Sequence, residues 1–256
     1  MTKEQIKKRN KYAPKILIGV PTYDGKNYCL SQFLDNINNL SYPKDRIELF
    51  FADNSKDNAN ALMLNKKYNI KCFWKDYSDM TLFEKMADSH NQIKNYFLDS
   101  KADYLLHLES DVFPPKDVIE QLLWARKPIV NAMYNVFDAA QRQPCIKLTN
   151  YMHEFSRVFI NNRDIGLCYH WWLEGIVQPV FIAGIGCCLM KRKVMKNFGF
   201  RSDKTLKENY PPDSYFAEDL RAKGVQNFVH TGVLCFHWNK EDWGRHFEYI
   251  EYHKSE

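Results

Sequence analysis

From Lys15 to Met133, short apolar runs alternate with stretches of helical spacing, and that alternation restricts the chain to very few folds. Lys15-Ile16-Leu17-Ile18-Gly19-Val20-Pro21 predicts a buried strand ended by proline. Residues 28–40 place Leu30, Phe33, Leu34, Ile37 and Leu40 at helical intervals. Strands are expected again at Ile47–Ala52, Lys71–Trp74, Tyr104–Leu108 and Pro128–Met133, with helices over 57–68, 81–98 and from Lys116 to Arg126. A strand followed by a helix, repeated at least four times, predicts an α/β fold with a mostly parallel, doubly wound sheet.

In such sheets ligands bind beyond the carboxyl ends of the strands. Three polar clusters fall there: Thr22-Tyr23-Asp24-Gly25, Asp53-Asn54-Ser55 and Glu109-Ser110-Asp111. The third is the most informative. Extended backbone points successive residues to opposite faces, so Glu109 and Asp111 share a side while Ser110 turns away. Pro114 and Pro115 forbid the strand to continue. Two carboxylates on one side repel unless a cation sits between them; the alternative is a solvated strand end.

Composition bounds the function. A chain of 256 residues supports one sizeable core, here expected as a single domain over 15–256 behind a basic tail at 1–14. The net charge of +5 is that of residues 1–15, where Lys3, Lys7, Lys8, Arg9, Lys11 and Lys15 face only Glu4. The body is neutral, so no strongly basic nucleic-acid groove is required. Seven cysteines without regular spacing predict reduced, packed thiols and a cytoplasmic location rather than a disulfide framework. No transmembrane-length apolar stretch and no signal-peptide core are visible.

The second half is less regular. Residues 138–178 read as loop-rich, with Tyr169, Trp171 and Trp172 available for stacking or for packing. Pro179–Met190 reads as a strand-like segment carrying Gly184 and Gly186, and Lys191-Arg192-Lys193 follows it. A helix after Asn209 is expected to stop at Gly224, and Phe228–Trp238 to form a last strand holding His230 and His237.

The order of these pieces over residues 15–238 resembles the GT-A glycosyltransferases of the family-2 type. The resemblance implies a nucleotide-sugar-binding half at 15–133 and an acceptor and catalytic half at 134–256. It implies nucleotide contacts at Thr22, Tyr23 and Asp24; for the last, a simple Asp-Gly turn is the alternative. Asp53 would accept the imide N–H of a uracil-like base, or else cap the following helix. Glu109-Ser110-Asp111 looks like the family's Asp-x-Asp motif with glutamate in its first position. By that likeness Asp111 binds Mn2+ or Mg2+ at the diphosphate, and Glu109 faces the ribose or the metal.

The helix that often carries an Arg-Asn pair has His90-Asn91 instead, leaving Lys85 as a diphosphate contact or a solvated lysine. Gly184 resembles the donor-sugar loop. Asp213, eleven residues before Gly224, matches the family's general base, though Pro212 replaces the usual glutamate; Glu218 and Asp219 compete with it. His237 resembles a late metal ligand, with His230 the weaker candidate. Lys191 to Lys193 is either a phosphate contact or a basic surface turn.

The resemblance therefore implies metal-dependent transfer from a nucleotide-diphosphate sugar, a UDP-sugar first, to a hydroxyl acceptor with inversion. A glycan is the first acceptor and a hydroxymethylated DNA base the second, with Arg142, Lys147, Arg157 and Arg163 as its phosphate contacts. The other classes are a nucleotidyltransferase on a similar sheet, whose glycine-rich, basic first loop Pro21–Gly25 matches poorly, and a non-catalytic nucleotide-sugar binding module.

Overall fold

Alternate residues of the first strand enter two different cores, and this fixes the layering. A computed structural model of the chain describes residues 13–138, 141–144, 146–147, 159–160, 163–164, 177–203 and 210–238. Strand β1 (Ile16–Thr22) sends Ile16, Ile18 and Val20 to one face of the sheet and Leu17 to the other. The first face is covered by Phe33 and Ile37 of helix α1 (Leu30–Asn38), Leu64 of α2 (Ala59–Tyr68) and Leu122 of α4 (Val118–Trp124). The second is covered by Ile93 and Phe97 of α3 (Leu82–Asp99), with Phe216 and Leu220 of the helix Pro212–Ala222. Helices on both faces make the sheet doubly wound, as the sequence predicts.

Strand β1 is flanked by β2 (Ile47–Asp53) and β4 (Tyr104–Leu108), both parallel to it, and β3 (Lys71–Trp74) extends the edge beyond β2. The full order is Val177–Val180, Asn227–Leu234, β6 (Ile129–Met133), Cys187–Lys191, β4, β1, β2, β3. Six of these eight strands run the same way; Cys187–Lys191 and Val177–Val180 are antiparallel to their neighbours. The sheet is thus mostly parallel, with one reversed strand wedged between β4 and β6.

Several local expectations are corrected. The segment 179–190 is three strands, Val177–Val180, Ile182–Ala183 and Cys187–Lys191, broken around Phe181 and Gly184–Gly186. The last strand is interrupted at Cys235 into Asn227–Leu234 and Phe236–His237. The chain does resume as β5 (Val112–Phe113) before the prolines, because Phe236–His237 supplies an antiparallel partner. The helix Pro212–Ala222 begins with proline in its first turn and ends before Gly224, whose φ of +68° suits the residue without a Cβ. Cys29, Cys187, Cys188 and Cys235 are buried free thiols. Among the described residues no helix is long and apolar enough to cross a membrane. The basic tail through Tyr12, the rings Tyr169, Trp171 and Trp172, and the side chains of Arg142, Lys147, Arg157 and Arg163 lie outside the described residues or side chains.

Candidate active site

The parallel strands end together, so β1, β2 and β4 present Thr22, Asp53 and Glu109–Asp111 along one edge. The β5 pairing then carries the distant segment Phe236–His237 to the same place, and the Trp238 N–H donates to the Asp111 carbonyl at 2.7 Å. Glu109, Asp111 and His237 each offer a ligand atom within 4.8 Å of the others, the only such trio among the described residues.

Asp111 is the buried centre of this group. Its Oδ2 takes the Lys26 ammonium and lies 3.3 Å from His237 Nε2, while its Oδ1 is buried with no hydrogen-bond partner. Burial alone would push the Asp111 pKa up, but His237 and Lys26 more than offset it and hold the carboxylate ionised. Glu109 goes the other way. Burial, reinforced by the charges of Asp111 and Asp213 and opposed by His237 and Lys26, pushes it up to about 7. Two carboxylates in one small volume do not both ionise easily without added positive charge.

Two carboxylates and an imidazole are a donor set that a divalent cation can use. The orphaned Asp111 Oδ1 supplies an independent sign of fit, since a buried oxygen without a partner is costly unless a ligand completes it.

The other expected residues fall into two groups. Asp213 is half-buried in the first turn of its helix, and its charge acts on Glu109. Of its competitors, Asp219 makes two hydrogen bonds of 3.1 Å to Arg201, and Glu218 lies 3.8 Å from the same guanidinium. His230 is buried beside Trp124, away from the trio. Asp53 is fully buried; its Oδ1 accepts both the N–H (3.1 Å) and the hydroxyl (2.5 Å) of Ser55, and its Oδ2 makes no hydrogen bond. The local turn thus uses one oxygen, and the Asn60 side chain sits close enough to the carboxylate to work against the burial that raises its pKa.

Thr22 is buried and donates its hydroxyl to Ser110 at 3.2 Å, which ties the β1 and β4 ends together. Tyr23 is exposed and lies across Gly25, while Asp24 opens a one-turn 3-10 helix, Asp24–Lys26. Gly184 is buried in the loop before Cys187–Lys191. Lys85 sits in the first turn of α3, near Asp76, and the cation at Asp111 is Lys26 instead.

Two sequence expectations are given structural roles. His90 and His107 face each other at 2.9 Å across the second core, and Asn91 exchanges two hydrogen bonds with the Phe200 backbone (2.7 and 2.9 Å). The His90-Asn91 pair therefore knits α3 to the segment after Asn197. Arg192 donates to the carbonyls of Leu98, Ser100 and Ala102, closing the C-terminal end of α3. Lys191 pairs with Tyr104 at the start of β4, so the Lys191 to Lys193 run lies at the sheet edge opposite the site; the phosphate-contact expectation is corrected.

Sequence reasoning missed Lys26 and Tyr134, and gave Gly186 only a place in a glycine-bearing segment. Lys26 follows the Asp-Gly turn by one position and carries no signal of its own. Gly186 accepts the Glu109 N–H at 2.9 Å and donates its own N–H to the Tyr134 hydroxyl at 2.9 Å. A Cβ at Gly186 would lie 2.6 Å from the Tyr134 ring, so the close approach that holds Glu109 needs glycine there.

No protein-family model matches the sequence, and no curated protein matches it significantly. Solved structures do match. A mannosyltransferase, PcManGT from Pyrobaculum calidifontis, in complex with GDP-Man and Mn2+, superposes with a TM-score of 0.54 at 17% identity, over 89% of this chain and 57% of that one. S. aureus TarS gives a TM-score of 0.52 at 12% identity over 89% of this chain and 37% of that one. Its 1–349 form in complex with UDP-GlcNAc gives 0.51 at 11% identity, over 88% and 59%. The fold is GT-A-like. In all three cases this chain spans less than two thirds of the matched chain, and at these identities the likeness concerns the fold alone. In a GT-A sheet, the edge holding Glu109, Asp111 and His237 is the place where the general rule for open α/β sheets puts a ligand.

Proposed function

We propose that this chain is a metal-dependent glycosyltransferase that moves a sugar from a nucleotide-diphosphate donor, a UDP-sugar first, to a hydroxyl acceptor. The observation that carries the proposal is the buried Asp111 with an unpartnered Oδ1, set against Glu109 and His237 at the sheet's carboxyl edge. The mannosyltransferase neighbour holds GDP-Man with Mn2+ and the TarS neighbour holds UDP-GlcNAc, which supports the donor class.

Asp111, Glu109 and His237 would hold Mn2+ or Mg2+, which supplies positive charge for a departing nucleoside diphosphate. Asp53, whose buried Oδ2 makes no hydrogen bond, would accept a base N–H; Thr22 supports this end of the site through Ser110, and Tyr23 and Asp24 border it. Gly184 and Gly186 line the sugar side, and Lys85 is a remoter basic group. Asp213 acts as general base: it takes the acceptor's hydroxyl proton as that oxygen bonds to the anomeric carbon. The bond from that carbon to the diphosphate oxygen breaks in the same step, so configuration inverts. A glycan is the first acceptor to try.

The test is release of nucleoside diphosphate from a panel of UDP- and GDP-sugars with Mn2+, with and without simple glycan acceptors. Turnover of one donor that is lost in Asp111→Asn supports the proposal. No turnover, with no donor bound, contradicts it.

A further inference from the structure

Asp111 is already served by a cation of the chain itself. The Lys26 ammonium sits on Asp111 Oδ2, the oxygen that also faces His237, and the Lys26 side chain is 27% exposed against 2% for Asp111. Lys26 ends a one-turn 3-10 helix directly after β1 and is held there by its ion pair on a flexible four-carbon stem. The charge of Glu109 also acts on Lys26, in addition to the direct ion pair with Asp111. A divalent ion on the same oxygens would stand a few ångströms from a positive charge, in a site shielded from water. The two cations repel, so each weakens the other's hold on Asp111.

We propose that Lys26 is a resident counter-ion which occupies the carboxylate site in the metal-free protein and is displaced when a divalent ion binds, its ammonium then turning to the diphosphate of the donor. The inference rests on the metal-dependent transferase proposal above and adds a residue to it. Lys26 weakens metal binding in the absence of nucleotide and strengthens nucleotide binding once metal is present. Metal and nucleotide then bind cooperatively, because the diphosphate gives the displaced ammonium a new partner.

The experiment uses the full chain. Mn2+ binding alone is titrated by the electron paramagnetic resonance signal of the free ion, for wild type, Lys26→Met and Lys26→Gln. Binding of UDP and of GDP is then titrated at saturating Mn2+. Two effects of opposite sign are expected: Mn2+ binds at least about tenfold more tightly to both variants, and the preferred nucleotide binds about tenfold more weakly. The melting temperature checks that each variant is folded; if Lys26→Met does not fold, Lys26→Gln gives the same comparison. Mn2+ affinity unchanged or weakened in the variants overturns the counter-ion role while leaving the transferase proposal standing. Unchanged nucleotide affinity overturns the diphosphate role. Absence of Mn2+ binding in wild type and variants alike removes the metal reading and this inference together.

Discussion

His237 Nε2 lies 3.3 Å from Asp111 Oδ2 although 126 residues separate them in sequence. The contact depends on a two-residue ladder, Val112 opposite His237 and Phe113 opposite Phe236, together with the Trp238 N–H on the Asp111 carbonyl. Neither β5 nor its partner is a strand that would persist alone. His237 therefore joins Glu109 and Asp111 by tertiary pairing at the end of the core rather than through their contiguous motif.

Replacing His237 by Ala should weaken Mn2+ binding about tenfold, since the proposed site loses one of its three ligands, while the melting temperature changes little. Isothermal titration with Mn2+ measures the first and calorimetry the second. A large loss of stability with unchanged metal affinity would mean that His237 serves only the β5 ladder.

Gly186→Ala should be destabilising by about 1–3 kcal/mol, the usual cost of forcing extra volume into a packed site. The new Cβ would meet the Tyr134 ring at 2.6 Å, and relief requires moving the backbone that accepts the Glu109 N–H. Urea unfolding measures the loss. Metal affinity should fall with it, because Glu109 is displaced.

Asn91→Ala removes both hydrogen bonds to the Phe200 backbone and leaves an N–H and a carbonyl without their partner. A loss of about 2 kcal/mol is expected in denaturant unfolding. Nucleotide binding, where it occurs, should be retained in the folded fraction.

The stability contributed by neutral His90 should be lost on mild acidification. Burial, with the neighbouring His107, holds the His90 pKa well below its ordinary 6.5, so the native state resists a proton that the unfolded chain accepts. The unfolded state binds more protons below pH 6.5, and the contribution of neutral His90 is complete above that value and lost as pH drops beneath it. The slope for one such group approaches about 1.4 kcal/mol per pH unit. Glu109, raised to about 7, acts in the opposite sense and His107, lowered to about 4, in the same sense. The His90 contribution is therefore read as the difference in slope between wild type and His90→Phe in chemical denaturation from pH 8 to 5.

Most of the sheet is legible in the sequence because each strand from Ile16 to Met133 is apolar, short and punctuated by a helix of matching period. The predicted residues at the ends of β1, β2 and β4 do gather at one edge, since parallel register brings Thr22 opposite Asp53 and Gly19 opposite His107. What escapes is whatever depends on the reversed strand and on side-chain reach. The wedge of Cys187–Lys191 between β4 and β6 sends Lys191 to Tyr104, which no local pattern announces. Lys26 is one surface-type lysine among many until the fold sets it on Asp111. His90-Asn91 is expected at the position of a substrate-binding pair, yet His90 is buried against His107 and the half-buried Asn91 is committed to the Phe200 backbone.

The most direct measurement is the thermal stability of the purified chain with UDP and GDP, with and without Mn2+, repeated on Asp111→Ala. A nucleotide at about a hundred times its dissociation constant adds on the order of 3 kcal/mol to the folded state. Stabilisation by one nucleotide that requires Mn2+ and vanishes in the folded variant is the predicted result. Folded protein that gains nothing from either nucleotide, with or without metal, would contradict the assignment of this sheet edge as a nucleotide-sugar site.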